Sequence, residues 1–83
     1  MSVFSDLLNQ YIKEKEIRIY SMAAACQMDR SMLYRIISGK RNPPSLDIFH
    51  KIAEYLQLAP AEYEQLKNAY DLTRLGMSVY YKR

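Results

Sequence analysis

The sequence predicts an all-α fold of about five helices, and three observations lead there. Apolar residues recur at helical spacing in two neighbouring stretches: Ile19, Met22, Ala23 and Cys26 make one stripe, and Leu33, Ile36 and Ile37 make another. Pro43 and Pro44 break the chain after them, and Pro60 suits the first position of a later helix. The chain has 83 residues and 49% hydrophobic content, which fits one small domain with a core of its own.

Phe4, Leu7, Leu8, Tyr11 and Ile12 predict the first helix, with Ser2 or Ser5 near its start and Asp6 in its first turn, where a carboxylate suits the dipole. Lys13-Glu14-Lys15-Glu16 reads as its solvated, mixed-charge end. The second and third helices carry the two stripes, with Gln27-Met28-Asp29 between them. Asp29 is expected to cap the third, its carboxylate accepting from the backbone N–H of Ser31 or Met32, and Gly39 stands where a left-handed C-terminal cap is wanted. The third helix therefore runs from about Arg30 to Ser38.

Asn42-Pro43-Pro44 ends that segment, because adjacent prolines cannot enter a helix interior and Pro44 drives Pro43 toward extended geometry. Ser45 then caps a fourth helix ending near Leu56. Pro60 opens a fifth, with Glu62 and Glu64 in its first turn and Tyr63, Leu66, Ala69 or Tyr70, and Thr73 as its apolar stripe; Gly76 predicts its stop. One domain over residues 1–76 is expected, followed by a tail, 77–83. That tail is too apolar for a free terminus, and Ser78 could cap another helix, so the expectation is the start of a further helix or a truncated C-terminal region.

Composition narrows the function. No run of about 18 apolar residues is present, and Met1-Ser2-Val3-Phe4 lacks the basic start and long apolar stretch of a secretory signal, which predicts a cytoplasmic protein without a membrane span. Cys26, the single cysteine, lies on the buried stripe and reads as a packed thiol. His50 has no second His or Cys to complete a metal site or a nucleophile–base pair, and glycine occurs only at 39 and 76, too sparsely for a phosphate-cradling loop. Neither enzyme activity, nor a cofactor, nor a metal is expected. Six of the eight tyrosines (Tyr11, Tyr20, Tyr34, Tyr55, Tyr63, Tyr70) fall in predicted helices, most as core or rim residues with the hydroxyl at water. The net charge of +3 is modest, but Arg30, Arg35, Lys40 and Arg41 fall between Arg30 and Pro44 with no acidic residue among them, whereas Glu54, Glu62, Glu64 and Asp71 come later.

Ala23 is a small residue inside the second helix, Met28 an apolar one in the turn, Asp29 a cap, and Ile36 a buried position of the third helix. Ser38-Gly39-Lys40-Arg41-Asn42-Pro43 follows as a loop, and Leu46, Phe49, Ile52, Ala53, Leu56 and Leu58 space out the fourth helix and the turn beyond. In these positions the chain from about Leu7 to Leu66 resembles the phage-repressor and Cro type of helix-turn-helix domain (lambda repressor-like, XRE family). Three residues depart from that pattern. Gln27 stands where the family usually has Gly and must take a positive φ at some steric cost. Arg18 takes the usual Ser or Thr capping position, so Ser21 is expected to cap the second helix instead. Ile19 replaces a Gln that often bonds a DNA phosphate, a contact expected to be absent here.

The resemblance implies a compact bundle that binds double-stranded DNA sequence-specifically as a transcriptional regulator, with the third helix, about 30–38, in the major groove. Arg30, Ser31, Tyr34 and Arg35 lie away from the apolar stripe and are the expected base readers; each arginine can bond the O6 and N7 of a guanine. Met32 is open between groove and core. Backbone contacts are expected from Lys40, Arg41 and Asn42 in the loop and from N–H groups near Tyr20 and Ser21. The reading unit is either a homodimer formed through the fifth helix and tail or a monomer whose dimerisation is supplied elsewhere. The alternative is a helical protein-interaction module, antitoxin-like, that keeps the fold without reading DNA. Ile19, Tyr20 and Tyr34 lean that way, because apolar and aromatic residues are enriched in protein interfaces.

Overall fold

The structure, a computed structural model, describes residues 2–39 and 43–81, with side chains as far as Leu75. Among the described residues there are five helices and no strand: α1 Val3–Glu14, α2 Ile19–Ala25, α3 Arg30–Ser38, α4 Leu46–Leu56 and α5 Pro60–Tyr81. The expected all-α bundle of about five helices is what the chain forms.

Local chemistry sets most of the boundaries. Both candidate serines act at the start of α1: the Ser5 N–H donates to Ser2 Oγ at 3.1 Å and the Ser2 N–H donates to Ser5 Oγ at 3.0 Å, a reciprocal cap. Ser45 caps α4 by accepting from the Ile48 N–H at 3.4 Å. Gly39 closes α3 in the left-handed region at φ 75°. The other turns place larger residues there. Glu16 (φ 52°) follows α1, where the Ile17 N–H returns to the Ile12 carbonyl at 2.9 Å. Gln27 (φ 56°) follows α2, where the Met28 N–H returns to the Ala23 carbonyl at 3.0 Å, and so takes the positive φ expected of it. Gln57 (φ 52°) ends α4.

These turns let one core form. α1 packs on α5 and α3, and α2 packs on α3 and α4. Phe4, Leu8 and Tyr11 meet Met22 and Ala23 of α2 and Cys26 at its C-cap, Leu33 and Ile36 of α3, and Phe49, Ile52 and Leu56 of α4, with Leu66 and Tyr70 of α5 completing the cluster. The Tyr70 ring lies 4.5 Å from Phe49 and 5.4 Å edge-on from Phe4, centroid to centroid. Burial pushes the Cys26 thiol above its ordinary range, with Lys51 opposing, which suits a packed thiol.

Several expectations are corrected. Most of the helical tyrosines are expected to keep the hydroxyl at water, and two use it within the protein instead: Tyr70 donates to the Pro44 carbonyl, and Tyr11 donates to Gln65 Oε1 at 3.1 Å. Burial, helped by the carboxylates of Glu62 and Glu14, raises the Tyr11 phenol. Asp29 sits at the N-cap of α3 but its side chain makes no capping bond; it is exposed, so water can serve the carboxylate. Ser21 does not cap α2, because the Arg18 carbonyl already accepts the Met22 N–H at 3.0 Å and the helix starts at Ile19. Only Glu62 lies in the first turn of α5. Leu46 is 43% exposed at the start of α4. Lys15 is not simply solvated, since its Nζ pairs with Glu62 at 3.2 Å. Gly76 does not stop α5, and Ser78 starts no new helix, because α5 runs through both to Tyr81. A lone glycine inside a helix costs only about 1 kcal/mol relative to alanine, less than is needed to end one.

Candidate nucleic-acid interface

The candidate site is the outer face of α3. Leu33 and Ile36 are buried beneath it, and Met32 and Ile37 pack half-buried against the core, which places Met32 on the core side. Arg30, Ser31, Tyr34 and Arg35 are all exposed. Their positions i, i+1, i+4 and i+5 form one strip along the helix, so all four side chains are available to the same partner.

Contacts from distant parts of the chain hold α3 in place. Asn9 Nδ2 donates to the Ile37 carbonyl at 2.7 Å, satisfying one of the acceptors left open at the helix end, and to the Ser5 carbonyl at 2.9 Å within α1. The Gly39 N–H returns to the Ile36 carbonyl at 3.2 Å. Beyond the loop, Pro44 is buried and its carbonyl accepts from Tyr70, which fastens the chain to α5. Lys40, Arg41 and Asn42, the expected backbone contacts of that loop, lie outside the described residues. Neither Asn9 nor Tyr70 was singled out by sequence for this role, and no local pattern could have done so: their partners are 28 and 26 residues away.

At the start of α2, the N–H groups of Ile19, Tyr20 and Ser21 precede the first helical bond, which Met22 makes to Arg18. Tyr20 and Ser21 are exposed, and Tyr20 shows 67% of its surface. The Arg30 guanidinium carbon stands over the Tyr20 ring at 5.0 Å from its centroid, a cation–π contact across the turn. Away from this face, His50 is exposed and its ring stacks on Tyr63, with centroids 6.4 Å apart. Among the described residues no group of three or more His, Cys, Asp or Glu side chains is placed to hold a metal ion.

The arrangement of α2, the tight turn and α3 has a counterpart in known proteins. A family model described as helix-turn-helix matches residues 8–63, most of the chain. The chain belongs to the helix-turn-helix family. The match is to its lambda repressor-like, XRE-type branch, an all-α fold, as the sequence led us to expect. No curated protein and no solved structure matches the chain. Membership makes this helix-turn-helix domain one of a family of DNA-binding regulators. Among its described residues no helix is long and apolar enough to cross a membrane.

Proposed function

We propose that this helix-turn-helix domain binds double-stranded DNA sequence-specifically as a transcriptional regulator, with α3 in the major groove. The observation that carries this reading is the exposed strip Arg30, Ser31, Tyr34 and Arg35, with two cations and no acid, on a helix whose other side is locked into the core. A helix fits the major groove, and the N-terminal residues of a recognition helix are the ones that approach base edges. Arg30, Ser31, Tyr34 and Arg35 are therefore assigned to base reading. Tyr20 and Ser21 are assigned to phosphates, through the open N–H groups of α2, and so are Lys40, Arg41 and Asn42, on the charge of the loop sequence.

The division of roles is tested by selecting bound duplexes from a randomised pool and measuring affinities at several salt concentrations. Arg30→Ala is expected to lose preference at one base pair, at a cost of roughly 1–3 kcal/mol on the preferred duplex. Lys40→Ala is expected to weaken all duplexes about equally and to reduce the salt slope by about 1. Identical behaviour of the two variants across the panel would refute the division. The exposed rings of Tyr20 and Tyr34 favour a second reading, a protein partner on the same face. A folded wild type that retains no DNA even at low salt would decide for it.

A further inference from the structure

We propose that Tyr20 is a specificity-determining positioning residue, whose ring holds the Arg30 guanidinium in the pose from which Arg30 reads its base pair. The inference rests on the assignment of Arg30 to base reading.

Arg30 is the first residue of α3 and is exposed, so its long side chain would otherwise sample many rotamers and lose that freedom on binding. Among the described residues its guanidinium stands over the Tyr20 ring, at 5.0 Å from the centroid. Among the described residues, no carboxylate pairs with Arg30 and no protein oxygen accepts a hydrogen bond from it; Asp29, next in sequence, makes no ion pair with it. The kind of neighbour matters. A carboxylate would occupy the N–H edge of the guanidinium, the same edge that must reach the O6 and N7 of a guanine. An aromatic ring engages the flat face and leaves that edge free.

The ring itself is well placed to act as a fixed support. Tyr20 sits on the second residue of α2, outside the buried stripe of Met22, Ala23 and Cys26, so the core does not depend on it. The turn that joins α2 to α3 is closed by the Met28 N–H to the Ala23 carbonyl, which fixes the two helices in one relation. Tyr20 would thus shape base preference without touching a base.

The test uses the best duplex from the selection and its single-base-pair variants, at one salt concentration, with Arg30→Ala, Tyr20→Ala, Tyr20→Phe and the Tyr20→Ala, Arg30→Ala pair. Arg30→Ala should abolish preference at one position. Tyr20→Ala should lower preference at that same position by about two- to fivefold and leave the others alone, since an exposed cation–π contact is of that strength. Tyr20→Phe keeps the ring and should keep the preference, and the double variant should discriminate no worse than Arg30→Ala. A Tyr20→Ala protein that weakens all duplexes equally, or keeps the Arg30 preference intact, overturns the inference while leaving Arg30 as a base reader. Loss of the preference in Tyr20→Phe also overturns it, by showing that the hydroxyl acts and not the ring. If Arg30→Ala changes no position, the base-reading assignment fails and the inference goes with it. Thermal melts check that each variant folds, and Tyr20→Leu, which keeps apolar bulk without a ring, stands in for Tyr20→Ala should that variant unfold.

Discussion

Glu62 shows how much one side chain can connect. Its Oε1 accepts from the Ala59 N–H at 2.9 Å, closing an open donor at the start of α5, and from Lys15 Nζ at 3.2 Å, tying in the end of α1. The backbone N–H of Ala59, followed by the hydrogen bond from Lys15, holds the Glu62 carboxyl below the ordinary glutamate range. A carboxyl whose folded pKa is depressed adds stability above its unfolded pKa and loses it as pH falls through the folded value. Glu62→Gln should therefore melt below the wild type at pH 7, and the gap should close as pH falls through and below the ordinary glutamate range, where the wild-type carboxylate takes up its proton. Melting curves across that range check this, and a gap independent of pH would place the effect in packing instead of charge.

At the scale of the elements, helix ends are where this chain departs from local preference. Glu16, Gln27 and Gln57 all adopt positive φ, at angles where a side chain beyond glycine crowds the backbone. Gln57 lies at the end of α4, in a hollow lined by His50, Ala53, Glu54, Leu58 and Tyr63, none of them on α3. Gln57→Gly should raise stability by about 0.5–1 kcal/mol in denaturant unfolding and leave DNA affinity unchanged. The sequence shows why such features were only partly legible. Periodicity identified the buried faces of all five helices, because Leu8, Met22, Ile36, Ile52 and Leu66 answer to a spacing that each helix carries within itself. Ser2, Ser45 and Gly39 were legible for the same reason, since a cap acts within a few residues. The exposure of Arg30, Ser31, Tyr34 and Arg35 followed from the apolar stripe they avoid. Illegible were the contacts set by the angle between helices: Tyr20 beneath Arg30, Asn9 on the end of α3, and Tyr70 on Pro44. The continuation of α5 through Gly76 is not legible either, because a glycine suits a helix end and yet costs little enough for a long helix to run through it.

For the whole molecule, the unexplained feature is the far half of α5. Tyr70 is its last buried residue among those described, yet the helix continues to Tyr81 and presents Leu72 and Leu75 at 62% and 67% exposure, side by side at i and i+3. Beyond Tyr70 the helix is tied to α1 by Thr73 Oγ1, which accepts from the Phe4 N–H at 3.2 Å, while the two leucines stand on its open side, where an apolar pair gains most from a partner that covers it. A second copy is the partner that the proposed function calls for, because one domain spans about half of a typical operator and two-fold pairing places two recognition helices about 34–36 Å apart. We expect the chain to sediment as a reversible dimer, and the Leu72→Glu, Leu75→Glu variant to sediment as a monomer that melts with the wild type at dilutions where both are monomeric, since neither leucine belongs to the core. The variant should bind a two-fold site about a hundredfold or more weakly than the wild type while binding a single half-site equally well, because what is lost is the linkage between two reading heads. A wild type that stays monomeric at all concentrations, with a selected motif lacking two-fold symmetry, would remove the role of α5 in pairing and leave the apolar ridge to a different protein.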